Sequence, residues 1–263
     1  GEKGGWAMSG SERLCSKLLN RLKDIGSAAV ALSGGVDSCF LAYAASRVEG
    51  GNFAAYYVQS AFQPEFELTD ALRAAKEAEL PFKIISVDIL ACEDVVRNPT
   101  DRCYHCKKHI FSAICKAAAA DGYKTILDGT NASDAEDDRP GMRALREAGV
   151  LSPLRECGLT KADIRCLARE AGLFTWNKPA YACLATRIPT GELITKNKLH
   201  SVEAAENFLF SLGFSDFRVR SVNGIAKLQL KAGQFDELFK QRELVLNELR
   251  QYFDAVTLDL EPR

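Results

Sequence analysis

The sequence predicts an α/β fold: a parallel sheet covered by helices over residues 9–190, followed by a small α+β domain over residues 191–263. Three observations carry that reading. Short apolar runs alternate with helix-period segments through the first half of the chain, the pattern of strands whose two faces are both covered. The 263 residues match one large domain or two modest ones, and 47% hydrophobic residues supply a sizeable core. Beyond residue 195 the order changes, with two short strands following one another directly.

Taken in order, Ser11 caps a helix carrying Leu14, Leu18, Leu22 and Ile25 on one stripe, and Gly26 ends it. Strands are expected at residues 28–32, 53–59, 82–87 and 124–128, with helices at 38–48, 65–79 and 103–120 between them. A polar stretch at 131–141, NASDAEDDRPG, interrupts the pattern before a helix at 160–171, where Thr160 and Asp163 have the spacing of a capping box. Residues 175–191 form a long loop rich in Pro, Asn and Thr, and loops of that length are usually functional or mobile. From Thr195 come a helix with Leu199, Val202, Phe208, Leu209 and Leu212, strands at 217–221 and 225–230, a helix at 234–249 and a strand at 255–260. Neither an internal repeat nor a low-complexity tract is evident.

Thirty-four Lys+Arg against 35 Asp+Glu leave a formal net charge of -1, so no global pull towards nucleic acid or an anionic membrane is expected. No apolar stretch approaches the roughly 18 residues that cross a bilayer, and GEKGGWAMSG at the N-terminus has no signal-peptide character. A cytoplasmic protein is expected, and the glycine-rich segment ahead of Met8 is set aside from the fold reading. Nine cysteines, an odd number in a chain this long, imply reduced thiols rather than a disulfide framework. Cys15, Cys39, Cys115 and Cys166 sit in helix-like apolar patterns as small buried hydrophobes, while Cys92 and Cys157 have no recognisable partners.

The most informative segment, AVALSGGVDSCF from Ala29, runs a buried strand into Ser33, Gly34, Gly35, Val36, Asp37 and Ser38 and then a helix. Gly34 and Gly35 allow left-handed backbone and close approach of a ligand, and the helix N-terminus favours an anion. Ser33 and Ser38 add hydroxyls. Asp37 would repel a bare phosphate, so its expected role is to hold Mg²⁺ beside one. The segment is neither G-x-x-x-x-G-K-[ST] nor G-x-G-x-x-G. It resembles the S-G-G-x-D-S loop of the N-type ATP pyrophosphatases, the PP-loop enzymes of adenine nucleotide alpha hydrolase-like fold, which grip the pyrophosphate of ATP and activate an oxygen by adenylation. An ordinary tight turn capped by Asp37 and Ser38 is the bland alternative. Asp128, at a strand end ahead of Gly129, Thr130 and Asn131, is a candidate for ATP or Mg²⁺, since such carboxylates face the ligand crevice of parallel sheets.

Cys103 and Cys106, in RCYHCKK, share one face of a helix expected just after Asn98 and Pro99, a pair suited to a metal or a redox disulfide. The second C-x-x-C of a zinc ribbon is missing, although His109 is available as a third ligand, so zinc stays open. No strand leads into the pair as in thioredoxin. Cys183, in NKPAYACLATR, is flanked by Lys178 and Arg187, and cations favour the thiolate that a sulfur nucleophile needs. Chemistry alone leaves open whether Cys183 is that nucleophile or a small apolar residue.

SGGVDS, NPTDRCYHCK, DGTNASD with RPG after it, and NKPAYACLATRIPTGE together resemble the LarE family, ATP-dependent sulfur transferases that help make the nickel-pincer nucleotide of lactate racemase. The likeness spans nearly the whole chain, and KPAYACLATR is its most diagnostic piece. It implies that ATP adenylates a carboxylate of pyridinium-3,5-biscarboxylic acid mononucleotide and that sulfur then displaces AMP, giving a thiocarboxylate. In members with one matching cysteine, here Cys183, that residue gives up its own sulfur and ends as dehydroalanine. Members with three carry a [4Fe-4S] cluster whose fourth iron holds an extra sulfide; Cys103, Cys106 and Cys183 would be its ligands, the form favoured here because the C-x-x-C pair otherwise lacks a purpose.

Arg218 and Arg220, two apart on an expected strand, aim both guanidinium groups to one face, which suits a substrate phosphate or a solvated salt-bridged surface. The resemblance tips this to phosphate and adds Arg187 and Glu206 as active-site residues. It also implies a homo-oligomer. Rivals are a tRNA-thiolating enzyme of the same loop class, disfavoured by the neutral charge, and an ammonia-dependent synthetase, which gives the three cysteines no role. A non-catalytic nucleotide-binding protein with a structural metal is the third.

Overall fold

The fold is built outwards from β1 (Ser27–Ala31), whose Ala28, Ala29 and Val30 are fully buried. A computed structural model describes residues 10–134 and 140–263. In it β1 pairs in parallel with β2 (Asn52–Gln59) on one side and with β4 (Ile126–Leu127) on the other, and β3 (Phe82–Ser86) extends the sheet beyond β2, in the order β3-β2-β1-β4. The described residues divide into two compact units: those within 10–59, 65–87, 104–134 and 140–180 form the first, and Ser60–Pro64, Asp88–Cys103 and Tyr181–Arg263 the second.

Alternation along β2 shows why its sequence is apolar throughout. Phe53, Ala55 and Tyr57 enter one core with Leu18, Leu22, Leu41, Leu127 and Ile164, while Ala54, Tyr56 and Val58 enter the opposite core with Phe111, Ile114 and Leu145. Both faces are covered, as the parallel pairing requires. The first face is roofed by α1 (Gly10–Ile25), α2 (Val36–Ser46) and α3 (Glu65–Glu77), with α7 (Pro153–Glu156) and α8 (Lys161–Glu170). Between α3 and α7 come α4 (Glu93–Val96), α5 (Arg102–Ala120) and α6 (Pro140–Glu147), the last two covering the second face. β3 is an edge strand with Ile84 43% exposed, so its two faces are not covered as its apolar run suggests.

In the second unit Thr195 caps α9 (Lys196–Ser211), its hydroxyl accepting from Lys198 N. β5 (Arg218–Val222) and β6 (Ile225–Gln229) form a hairpin across Asn223 and Gly224, both at positive φ (49° and 80°), as a primed two-residue turn demands. The expected helix at 234–249 divides at Gln241 into α10 (Phe235–Lys240) and α11 (Arg242–Leu249), and β7 (Ala255–Leu258) then lies parallel to β6.

The α/β reading and the capping box hold: Thr160 N donates to Asp163 Oδ2 (2.9 Å) while the Thr160 hydroxyl accepts from Asp163 N. The strand expected at 124–128 shortens to two residues, continued by a bridge from Leu127 to Leu151. α7 lies between the polar stretch and the helix at 160–171, where no element is expected; Pro153 opens it, where a missing N–H is no loss. All nine cysteines are free thiols, as expected, but Cys166 is exposed, with its Sγ 3.5 Å from Glu170 Oε1, rather than buried. Residues 1–9, the side chain of Ser11 and residues 135–139 of the polar stretch, including Arg139 of RPG, lie outside the described residues. Among the described residues no helix is long and apolar enough to cross a membrane.

Gly129, just past β4, fixes the distance between the sheet and the start of α2. A Cβ at that position would fall 2.8 Å from Ser38 N and 3.1 Å from Ser38 Cα, both backbone atoms that cannot step aside alone. Gly129→Ala is expected to destabilise the fold by about 1–3 kcal/mol in urea unfolding, as overpacking does; an unchanged midpoint would mean that the two segments separate freely.

Candidate functional site

Between β1 and α2 the chain turns through Ser33, Gly34 and Gly35. Gly34 has φ +81°, and a Cβ on it would lie 2.8 Å from Glu67 O, so both conformation and space require glycine. Gly35 is the N-cap of α2 and no side chain caps that helix, contrary to a turn capped by Asp37 and Ser38. Its first amides therefore present partial positive charge to whatever enters the turn. Ser38 Oγ instead locks the loop, accepting from Ser33 N (3.0 Å), pairing with Ser33 Oγ (3.0 Å) and donating to Gly35 O (3.3 Å).

Asp37 lies at the mouth of this turn. Its Oδ2 accepts from Lys161 Nζ, and its Oδ1 is buried without a hydrogen-bond partner. Burial raises the Asp37 carboxyl; Lys161 and the Asn131 side chain pull it back down, and Asp134 pushes it up. Asp128, at the end of β4, is buried with both oxygens engaged: Thr130 Oγ1 donates to Oδ2 (2.5 Å) and Ser152 Oγ to Oδ1 (2.6 Å). Lys178 does not flank Cys183 as a free cation. Its ammonium donates to Gly34 O (2.9 Å) and to Asp70, and lies over the Phe66 ring.

The second unit holds a separate constellation. Cys183 is half-buried at the head of the short turn Leu184–Arg187, whose Leu184 N donates to Phe62 O (2.9 Å). Desolvation raises the Cys183 thiol, opposed chiefly by Arg102 and only weakly by Arg187. The expectation that flanking cations favour the thiolate is thereby reversed, because loss of water around the sulfur outweighs them. Arg102 also donates to Cys103 Sγ (3.8 Å), to Asn98 Oδ1 (2.6 Å) and to Ala185 O (3.2 Å). Asn98, at positive φ (54°), donates to Ile188 O and Pro189 O. Cys103 is exposed and Cys106, one turn further along α5, is half-buried.

Arg187 is fully buried. It donates to Glu206 through Nε (2.9 Å) and Nη2 (3.1 Å), and through Nη1 to Ala182 O (2.7 Å), Cys183 O (3.3 Å) and Thr186 Oγ1 (2.8 Å). Glu206, on α9, also accepts from the Tyr181 hydroxyl and from Val219 N (3.0 Å). This fork-to-carboxylate pair ties the cysteine loop to α9 and β5. Arg218 and Arg220 share a face of β5: Arg218 packs over the Tyr181 ring, and Arg220 donates to Gln229 Oε1 (2.6 Å) and Thr186 O (2.7 Å). Burial, then Arg187 and Arg263, lower Arg218 to about 10 and depress Arg220 in the same order. Crowded, desolvated guanidinium groups are relieved by an anion.

Asn98, Arg102, Tyr181 and Lys161 carry no site role that is evident from sequence. The first three lie inside NPTDR and KPAYACLATR, so their neighbourhood was flagged, but pairing across the chain has no periodic signature. Lys161 carried no signal beyond following a cap.

Truncating Glu206 to Ala is expected to cost about 3–5 kcal/mol, the range for stranding one partner of a buried ion pair. Combining it with Arg187→Met should recover part of the loss. Urea unfolding of both variants checks this, and a Glu206→Ala effect under 1 kcal/mol (roughly the exposed-pair range) would refute the clamp.

No protein-family model matches the chain. It is 38% identical over 255 residues to an uncharacterized protein of Synechocystis sp., covering 94% of each chain. Over 233 residues, 88% of each chain, it is 29% identical to an uncharacterized protein of Methanocaldococcus jannaschii. It is also 36% identical over 245 residues, 92% of this chain and 89% of the relative, to the pyridinium-3,5-bisthiocarboxylic acid mononucleotide synthase of Lactiplantibacillus plantarum. Identity sustained over that much of both chains is the mark of shared descent and fold, and the chain belongs to the LarE family.

Proposed function

We propose that the chain is an ATP-dependent sulfur transferase of nickel-pincer nucleotide synthesis, converting carboxylates of pyridinium-3,5-biscarboxylic acid mononucleotide to thiocarboxylates. The observation that carries the proposal is the uncapped start of α2 behind Gly34 and Gly35, with a buried, unpartnered carboxylate oxygen on Asp37 beside it. Backbone amides suit the phosphates of ATP, and a hard, orphaned oxygen suits Mg²⁺. Asp37 would hold that ion, which supplies charge neutralisation to the phosphates. Ser33 and Ser38 keep the turn in shape. Asp128, saturated by two hydroxyls, positions Gly129 against the turn.

In the reaction, a substrate carboxylate oxygen attacks the α-phosphorus and the bond to pyrophosphate breaks, leaving an acyl-adenylate. Sulfur then attacks the carbonyl carbon and AMP departs. Where the sulfur is that of Cys183, the thioester resolves by loss of the Cα proton and cleavage of Cβ–S, yielding thiocarboxylate and dehydroalanine with no net redox change. A [4Fe-4S] cluster held by Cys103, Cys106 and Cys183 would instead supply an exchangeable sulfide. What supports this reading is Arg102, which donates to Cys103 Sγ and, against the larger effect of desolvation, lowers the Cys183 thiol, a cation suited to thiolate ligands. Arg187 and Glu206 act as positioning residues for the Cys183 loop, and Arg218 and Arg220 receive the substrate phosphate. The net charge of -1 supports a small nucleotide rather than a nucleic acid as substrate; the family resemblance adds a homo-oligomer, placed in the cytoplasm.

Pyrophosphate is expected to form only when ATP and the dicarboxylated nucleotide are both present under anaerobic, reducing conditions; absence of ATP turnover there overturns the proposal. Cys183→Ser should release pyrophosphate yet form no thiocarboxylate, and product from that variant would remove Cys183 from the mechanism. Anaerobic iron and sulfide analysis, with mass spectrometry for loss of H₂S at Cys183, separates the two sulfur sources.

A further inference from the structure

Lys161 opens α8 at a fixed point. The capping box of Thr160 and Asp163 sets the helix start, and Lys161 N donates to Ser133 Oγ (2.9 Å). From that anchored backbone its long side chain reaches Asp37, whose Oδ2 it occupies while Oδ1 stays buried and unpartnered. Asp134 adds a second negative influence on the same carboxylate. The Asn131 side chain acts on the same carboxylate without closing a hydrogen bond to Oδ1, so the ammonium stands where a cation is needed, at the mouth of a turn shaped for an anion. An ion pair whose only purpose was to hold two segments together would not leave a desolvated acceptor unmade beside it.

We infer that Lys161 is an exchangeable placeholder on Asp37: when nucleotide enters the Gly34–Gly35 turn, the ammonium passes from Asp37 to a phosphate oxygen, and the divalent cation takes the vacated carboxylate. No covalent bond changes. The inference rests on the nucleotide reading of the turn, and it adds an order of events, in which the metal enters with the nucleotide rather than ahead of it. Lysine suits this better than arginine would, because its compact ammonium on a flexible stem moves between acceptors without a fixed fork to satisfy.

The placeholder makes two affinities move in opposite directions, which a structural ion pair does not. Binding of α,β-methylene-ATP with Mg²⁺ is measured by calorimetry, and binding of Mn²⁺ without nucleotide by electron paramagnetic resonance, for the wild-type chain and for Lys161→Met and Lys161→Gln. Both variants are expected to bind the analogue about tenfold or more weakly, the loss of one charge-assisted hydrogen bond. They should also bind Mn²⁺ alone at least several-fold more tightly, since Asp37 is then unblocked. Analogue affinity within twofold of wild type, or Mn²⁺ affinity unchanged or weakened, overturns the inference in whichever variant keeps the wild-type unfolding midpoint. If neither keeps it, the pair is structural and the inference falls. A wild-type chain that binds no analogue overturns the nucleotide reading itself.

Discussion

A helix whose first turn carries no side-chain cap must be held at its start by other means, and the first unit is arranged around that requirement. Gly35 leaves the leading amides of α2 uncovered. The Ser33–Ser38 hydroxyl pair closes the loop from inside, Lys178 holds the Gly34 carbonyl from outside, and Gly129 lets the neighbouring strand end press against Ser38 without a Cβ between them. Each contact spends polar groups on positioning backbone, which leaves the leading amides without a side-chain partner. Filling the turn with a capping side chain would stabilise the helix and cover those amides.

The second unit holds a half-buried cysteine, Cys183, on a loop that needs its own supports. Its loop is pinned at both ends: Asn98 and Arg102 take the carbonyls of Ala185, Ile188 and Pro189, while Arg187 takes those of Ala182 and Cys183. Burying Arg187 is tolerable only because Glu206 meets it fork to fork and has further donors in Tyr181 and Val219 N. Burial and the neighbouring Arg187 and Arg263 depress Arg218 and Arg220 on β5 even with Glu206 acting on both.

Much of this was legible in order along the chain. Ala29 to Ser38 announces a strand, a glycine turn and a helix, and Thr160 with Asp163 announces a helix start. Local signals of this kind depend on residues a few positions apart. The exposure of Cys166, the raised Cys183 thiol and the occupation of Lys178 were not legible, because each is set by what packs against the residue from elsewhere.

By itself the sequence determined the α/β class, the glycine turn between the first strand and the helix after it, and the positions of the cysteines, since periodicity, glycine conformation and residue type are properties of short segments. Only the tertiary structure decided that Arg187 and Glu206 saturate one another, that Asp128 is engaged by two hydroxyls, and that Lys161 rather than solvent meets Asp37. Those are matters of desolvation and of partners distant in sequence, and the free energy of a buried charge is fixed by its neighbours in space.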